Sequence, residues 1–313
     1  MKTMRLGKTG VDVSALCLGV LYFGNRIGKE ISYHLLDRYV EAGGRFVDTA
    51  NIYSFWISGF QGGESETVLG QWMHDRKNRS QTFIASKVGF AYPGVEFGLR
   101  AGQIQSECDK SLQRLQTDVI DLYYAHVDDR DTPLEETMEA FDRLVKAGKV
   151  RYVGASNYVA WRLEKARMVS RVHGWAEYCC IQQRYSYFRP KPGADFDAQV
   201  CVNGDLLDYV HSEGIGLLAY SPLLNGACAR PGRSFPPEYV GPDTDARMTA
   251  LCEVAEEVGG TPAQVLYAWM MQSDPPVIPL MAASTDEQIQ ENLGALDINL
   301  TDEQMARLNN ASG

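Results

Sequence analysis

The chain has 313 residues, 45% of them apolar and 22% charged, and its 40 acids against 30 bases leave a formal charge of −10. That balance excludes a disordered, coiled-coil or collagen-like chain. A surface this acidic repels nucleic acid and anionic membrane rather than binding them, and no run reaches the roughly 18 apolar residues that a membrane helix needs.

Residues 1–14 read as a small hairpin around Leu6–Val11. The apolar stretch Ala15–Phe23 follows Lys2, Arg5 and Lys8, but Asp12 interrupts the basic leader and no small-x-small cleavage site precedes Asn25, Arg26 and Lys29, so it is read as a strand and not a signal peptide. From there, short β-type runs alternate with amphipathic stretches. The strand candidates are Ala15–Gly19, Phe46–Ala50, Thr82–Lys87, Asp121–His126, Val150–Ser156, Cys179–Arg184, Gly216–Pro222 and Pro276–Ala282. Their starts lie 29 to 39 residues apart, with 60 before the last, and most of these intervals suit one βα unit.

Between strands, Ile104, Cys108, Leu112 and Leu115 share one helix face over Gln103–Gln116, as do Met138, Phe141, Leu144 and Val145 over Pro133–Lys149. Pro133, Glu135 and Glu136 suit a helix start and Gly148 its end. Residues 223–247 form a Gly/Pro-rich loop, followed by helical stretches near 245–258 and 262–272; Thr261–Pro262 and Ser284–Thr285 are further helix starts. Eight βα units predict an α/β fold, a closed (β/α)8 barrel of the TIM type with an N-terminal hairpin cap (1–14) and extra helices near the C-terminus, all in one domain over 1–313.

The seven cysteines include no CxxC, and the adjacent Cys179 and Cys180 would face opposite sides of a strand. They read as reduced thiols of a cytoplasmic protein. His34, His74, His173 and His211 share no ligand spacing, so no metal site is expected. Trp72, Trp161, Trp175 and Trp269 read as packing.

A barrel of this kind carries its active site at the C-terminal strand ends. Asp48, Tyr53, Lys87 and His126 stand at or just past three adjacent ends. Each alone is ordinary: a cap, a loop ring, a solvated charge, a structural histidine. The topology gathers them around one mouth. An ammonium about 4 Å from a phenol stabilises tyrosinate by roughly 4 kcal/mol at an effective dielectric near 20, an upper figure worth about three pKa units. Lys87 can supply that ammonium, Asp48 can orient it and His126 can hydrogen-bond the substrate oxygen. The assembly would protonate a carbonyl oxygen as negative charge develops there, with the electron pair arriving as a hydride from a nicotinamide.

At these residues the sequence resembles the aldo-keto reductase superfamily, of the bacterial aldo/keto reductase type, along essentially its whole length. The stretches that carry the resemblance are GGRFVDTANIY (Gly43–Tyr53), GESETVLG (Gly63–Gly70), SLQRLQTDVIDLYYAH (Ser111–His126), GKVRYVGASNY (Gly148–Tyr158), AYSPL (Ala219–Leu223) and VIPLMAASTDEQIQEN (Val277–Asn292). The resemblance implies a reductase of aldehydes or ketones, sugar-derived ones included, with Asp48, Tyr53, Lys87 and His126 as its catalytic set and Tyr53 as acid. It implies that Ser156, Asn157 and Gln182 or Gln183 hold the nicotinamide carboxamide. Strand alternation lets only one of the two glutamines face inward, and Gln182 begins the matching run. Tyr220 would stack on the ring, Ser221 and Leu223 would line the pyrophosphate with Gly226 in the same cofactor loop, and Ser284, Gln288, Glu291 and Asn292 would surround the adenosine.

Two departures bear on ligands. NADP(H) is the default cofactor of such relatives, which carry a cation in the eighth-strand segment. Here no Lys or Arg occurs from Pro279 until Arg307, and Asp286 adds a negative charge. Phosphate recognition wants cations, which opens the site to NAD(H) unless Arg230 or Arg233 substitutes. The second departure is Ser54–Gly62, where Phe55, Trp56 and Phe60 are either loop packing or a substrate wall, with Phe90 and Tyr92 able to join it. Asp128, Asp129 and Asp131 either shape the pocket or form a solvated loop. Competing readings are a barrel aldolase using Lys87 as a Schiff base, and a non-enzymatic subunit that keeps fold and cofactor. The sequence leaves the oligomeric state open.

Overall fold

The computed structural model describes every residue except Pro231. Two short strands, β1 (Thr3–Arg5) and β2 (Asp12–Ser14), pair antiparallel as the hairpin. Eight parallel strands follow and close on themselves: β3 (Cys17–Gly19), β4 (Phe46–Asp48), β5 (Phe83–Val88), β6 (Ile120–Ala125), β7 (Val150–Ser156), β8 (Tyr178–Arg184), β9 (Gly216–Tyr220) and β10 (Val277–Met281), with β10 pairing both β9 and β3. All eight strand candidates lie in this barrel. Closure removes every sheet edge and sets β4 four strands from β8, across the lumen.

Helices α1 (Lys29–Glu41), α2 (Glu64–Arg76), α3 (Ala101–Leu115), α4 (Leu134–Lys146), α5 (Ala160–His173) and α6 (Gly204–Glu213) each connect neighbouring strands; α7 (Pro242–Val258) and α8 (Pro262–Gln272) together fill the last crossover, and α9 (Asp286–Gly294) and α10 (Asp302–Asn310) follow β10. Their apolar stripes face the barrel: Ile104, Cys108 and Leu115 of α3 and Met138, Phe141 and Leu144 of α4 are buried. Side-chain caps start the late helices. Thr261 and Thr301 each form a capping box with the glutamine three residues on, and Thr285 accepts from the Gln288 amide. The Gly/Pro loop is shorter than expected, because Pro242 takes the first helical turn with Asp243 and Asp245 beside the positive helix end.

The lumen floor is apolar. Cys17, Phe46, Ala85, Leu122, Tyr124, Cys180, Leu218 and Ile278 form one buried cluster, sealed from below by Leu6 and Val13 of the hairpin region. Cys179 also packs on this cluster, contrary to the expected alternation. Between its pairings with Val153 and Ala155 of β7, β8 carries one residue more than its neighbour, and this shifts the register at the two cysteines. All seven cysteines are free thiols. Among the described residues no helix is long and apolar enough to cross a membrane.

Candidate active site

Two residues above the floor, the inward side chains turn polar. Asp48 ends β4 and Lys87 lies near the end of β5, both fully buried. Lys87 Nζ donates to Asp48 Oδ1, to the Thr49 carbonyl at 2.7 Å and to Tyr53 Oη at 2.8 Å. An ammonium has three N–H donors and no acceptor, so every proton on Lys87 is committed. Its pKa is raised: burial works against the charge, but Asp48 and then Tyr53 outweigh it. Removing that charge would strand a buried carboxylate, at a cost of several kcal/mol. A lysine so held has no lone pair to attack a carbonyl, which counts against the aldolase reading.

From the far side of the lumen, Gln182 Nε2 donates to Asp48 Oδ2 at 2.8 Å. Gln183 faces outward instead, accepting from the Asn157 amide and donating to the Tyr158 carbonyl at 2.7 Å. Of the two glutamines, Gln182 is therefore the one that faces inward.

Tyr53 sits on the turn after β4, partly exposed to the mouth. The net effect on its phenol is the reverse of the sequence-based expectation. Lys87 does pull its pKa down, but burial is the larger influence and the Asp48 carboxylate adds to it, so the value is raised. Tyr53 is therefore a protonated phenol at neutral pH.

His126 follows β6, its ring edge-on to Tyr53 at 6.1 Å between centroids and to Phe90 at 4.8 Å. Burial, reinforced by Lys87, holds its pKa well below the ordinary value, so the ring is neutral. Nδ1 is buried without a partner. A bare acceptor is the cheaper orphan than a bare N–H, which assigns the proton to Nε2.

Ser156 ends β7, and Asn157 adopts a left-handed φ of 59° just beyond it. Asn157 Nδ2 donates to the His126 carbonyl at 2.9 Å and to Ser156 Oγ at 3.2 Å. Its Oδ1 accepts from the Val200 amide at 3.1 Å and from Tyr220 Oη at 2.7 Å. All four positions of this amide are filled within the protein, so the carboxamide contact expected of Asn157 needs one of them to open. Ser221, Leu224, Asn225 and Gly226 all have positive φ, and Arg230 lies beside Gly226, its Cδ 3.4 Å from where a β-carbon there would be. Leu223 enters this turn with φ −91° and ψ 8°. At the start of α9, Gln288 accepts from the Ser284 amide at 2.9 Å and Oγ at 3.0 Å, and Asn292 donates to the Ala282 carbonyl at 3.0 Å. The Glu291 carbonyl is held by Gln264 at 2.8 Å.

Asp286 is not the bare negative charge its sequence neighbourhood implies. His34 Nε2 and Arg38 Nε of α1 lie 2.9 and 3.0 Å from its Oδ1, and Arg38 also pairs with Glu41. Sequence reading missed this cation because it lies 248 residues away in the chain.

Aromatic rings form a continuous run across the mouth. Phe55 meets Trp56 at 5.4 Å, Trp56 meets Tyr53 at 6.3 Å, and Phe90, beside His126, meets Phe97 at 6.4 Å. Trp56 and Phe97 are 46% and 42% exposed, which is a wall's exposure and not a core's. Phe97 had no signal in the sequence beyond being aromatic. Tyr92 does not join the run: its hydroxyl is bound to Glu107. Asp128 pairs with Arg162 at 2.9 Å, and Asp129 caps the Leu99 amide at 2.8 Å, so these acids brace loops. Trp161 was expected in packing but is 60% exposed, with the Arg130 guanidinium set over its ring, 5.0 Å from the centroid.

The profile of the aldo/keto reductase family matches residues 15–312. Norsolorinic acid reductase stcV of Emericella nidulans is 33% identical over 95% of this chain and 77% of its own. An uncharacterized oxidoreductase, YrpG, of Bacillus subtilis is 30% identical over 99% and 95%, and an aryl-alcohol dehydrogenase [NADP(+)] of Phanerodontia chrysosporium 30% over 96% and 83%. The crystal structure of a thermostable aldo-keto reductase, Tm1743, solved with the inhibitor epalrestat, superposes with a TM-score of 0.80 at 29% identity and full coverage of both chains. With a matched profile over nearly all its length and a barrel of the same topology, this chain belongs to the aldo/keto reductase family of NAD(P)H-dependent oxidoreductases that act on carbonyl and CH–OH groups.

Proposed function

We propose that the protein reduces the carbonyl of an aldehyde or ketone to an alcohol, with Tyr53 as proton donor, Lys87 and Asp48 setting that proton's lability, and His126 gripping the carbonyl oxygen. The observation that carries this reading is the proton count at Lys87. With all three ammonium protons committed, Tyr53 Oη is an acceptor toward Lys87, and its own hydrogen must point elsewhere. The open direction is the mouth. As an oxygen there gains negative charge, the Tyr53 proton moves to it, and the phenolate left behind is stabilised by Lys87. A neutral His126 with Nε2–H toward the mouth donates to the same oxygen without competing for the proton.

The chain's groups fit a dinucleotide. In the turn from Leu223 to Gly226 the Leu224 and Gly226 N–H groups donate to the Ser221 and Leu223 carbonyls, and Arg230, beside Gly226, would offer the pyrophosphate a cation. Ser156 and Gln182 would hold the carboxamide and Tyr220 would face the ring, with Ser221, Leu223 and Gly226 at the pyrophosphate. Ser284, Gln288, Glu291 and Asn292 would meet the adenosine. When bound, the reduced nicotinamide supplies the hydride.

The wall of Phe55, Trp56, Phe90 and Phe97 offers flat apolar faces and few hydrogen-bonding groups. It suits an aryl aldehyde or ketone better than a sugar, and relatives named for norsolorinic acid and aryl alcohols support that choice. Because Arg38 is spent on Asp286 and Glu41, NADPH should not exceed NADH by a large factor. A turnover screen of aryl carbonyls, aliphatic ketones and sugars against both reduced nucleotides tests these points together. Aryl carbonyls should lead sugars in kcat/KM by at least about tenfold, a margin of roughly 1.4 kcal/mol in transition-state binding. A sugar as best substrate, or a hundredfold preference for NADPH, would overturn the corresponding part.

A further inference from the structure

Glu107 lies on α3, outside the barrel wall, yet its carboxylate is fully buried. Burying a carboxylate is costly unless donors replace its water. Lys110, one turn along the same helix, answers the charge at Oε1 from 2.8 Å. The other oxygen serves two loops of the mouth: Oε2 accepts from Asn51 Nδ2 at 2.8 Å and from Tyr92 Oη at 2.6 Å. Asn51 stands two residues before Tyr53, and Tyr92 two residues after Phe90.

Beyond backbone bonds, neither donor has another hydrogen-bonded hold among the described residues. The Asn51 Oδ1 is buried with no partner, and among the described residues Glu107 is the only group bonded to the Asn51 or Tyr92 side chain. The Tyr92 ring closes the gap by packing on Gly62, where a β-carbon would come within 2.9 Å of it and where φ is 101°. The segment carrying the proton donor and the segment carrying the aromatic wall are thus latched to one oxygen atom.

We propose that Glu107 is a positioning residue for proton transfer, holding Tyr53 and Phe90 in register across the mouth through Asn51 and Tyr92. This rests on Tyr53 being the acid. Without the carboxylate the Asn51 side-chain amide is buried with neither end paired, and at Asn51 the turn keeps only the backbone bond from its N–H to the Lys87 carbonyl. A shift near 1 Å at a reacting group costs on the order of 100-fold in rate.

The test compares Glu107→Ala, Glu107→Gln and Tyr92→Phe with the unaltered enzyme. Glu107→Ala should lower kcat by roughly 10- to 100-fold while the nucleotide dissociation constant, read by tryptophan-fluorescence quenching, stays within about twofold. Amide hydrogen exchange should accelerate in 49–62 and 89–98 and not in the strands. Glu107→Gln, whose amide oxygen can accept from both donors while its NH2 faces Lys110 and the charge is lost, should fall between. If Glu107→Ala does not fold, Tyr92→Phe decides: a loss of kcat of a few-fold with faster exchange in 89–98 is expected, and unchanged kcat with unchanged exchange overturns the latch. Loss of thermal stability with kcat intact in the folded fraction also overturns it. Tyr53→Phe is assayed in parallel. If it keeps its turnover, the acid assignment fails, while the exchange pattern still judges the latch by itself.

Discussion

The same strands build the floor and the mouth of this barrel, one pleat apart, and the two layers obey opposite rules. Moving two residues along β4 exchanges Phe46 for Asp48; along β5, Ala85 for Lys87; along β8, Cys180 for Gln182; along β9, Leu218 for Tyr220; and past the end of β6, Tyr124 for His126. A rise of about 6.6 Å separates the members of each pair. Below it, side chains fill space, the weak bond from Cys180 Sγ to Tyr124 Oη at 3.8 Å being the exception. Above it, Asp48, Lys87, Gln182 and Tyr220 are each bound to named partners, His126 Nδ1 is left bare, and the charge is balanced within one pair. The floor should therefore be tolerant in chemistry and costly in volume, and the mouth the reverse.

The largest expected effect breaks the mouth without touching its packing. Tyr53→Phe removes one oxygen and should reduce carbonyl turnover by roughly 10²- to 10⁴-fold, the range of a positioned general acid, with nucleotide affinity nearly unchanged. Loss of nucleotide binding instead would mean that Tyr53 is structural. Next is Lys87→Met, which should lose activity and also about 3–5 kcal/mol of stability, because Asp48 is left buried and unpaired. Adding Asp48→Asn should restore much of the stability in urea titration and none of the turnover. A Lys87→Met protein as stable as the parent would refute the view that this pair carries a live charge.

The floor supplies the contrast. Phe46→Ala should cost about 3–5 kcal/mol through the cavity it opens, with kcat per folded molecule within a few-fold of the parent. If turnover fell as far as stability, the two layers would not be separable. The smallest effect concerns His126. Its folded pKa is depressed, so the unfolded chain takes up a proton near pH 6.5 that the folded chain refuses. Stability should accordingly fall as pH drops below about 6.5, by up to about 1.4 kcal/mol per pH unit from this group. Urea midpoints at pH 7.5 and 5.5 should lie closer together in His126→Asn than in the parent, and equal acid sensitivity would assign the loss to other residues.

Alternation of strand and helix is a local property, with periods of two and 3.6 residues, and so the eight strands, the hairpin and the residues at strand ends are legible from the amino-acid order alone. The sequence by itself also determined which residue types reach the mouth, since an inward-facing residue at a parallel strand's C-terminal end can only meet the mouth in a closed barrel. Only the tertiary structure decided what those residues are bound to. The Thr49 carbonyl as third partner of Lys87, the filled amide of Asn157, the inward turn of Gln182 past a bulge, and Arg38 and His34 brought to Asp286 all depend on atoms distant in the chain or on backbone groups that every residue possesses. The raised phenol of Tyr53 has the same origin. A neighbouring cation can be inferred from sequence, whereas the loss of water around a side chain is a sum over everything folded against it.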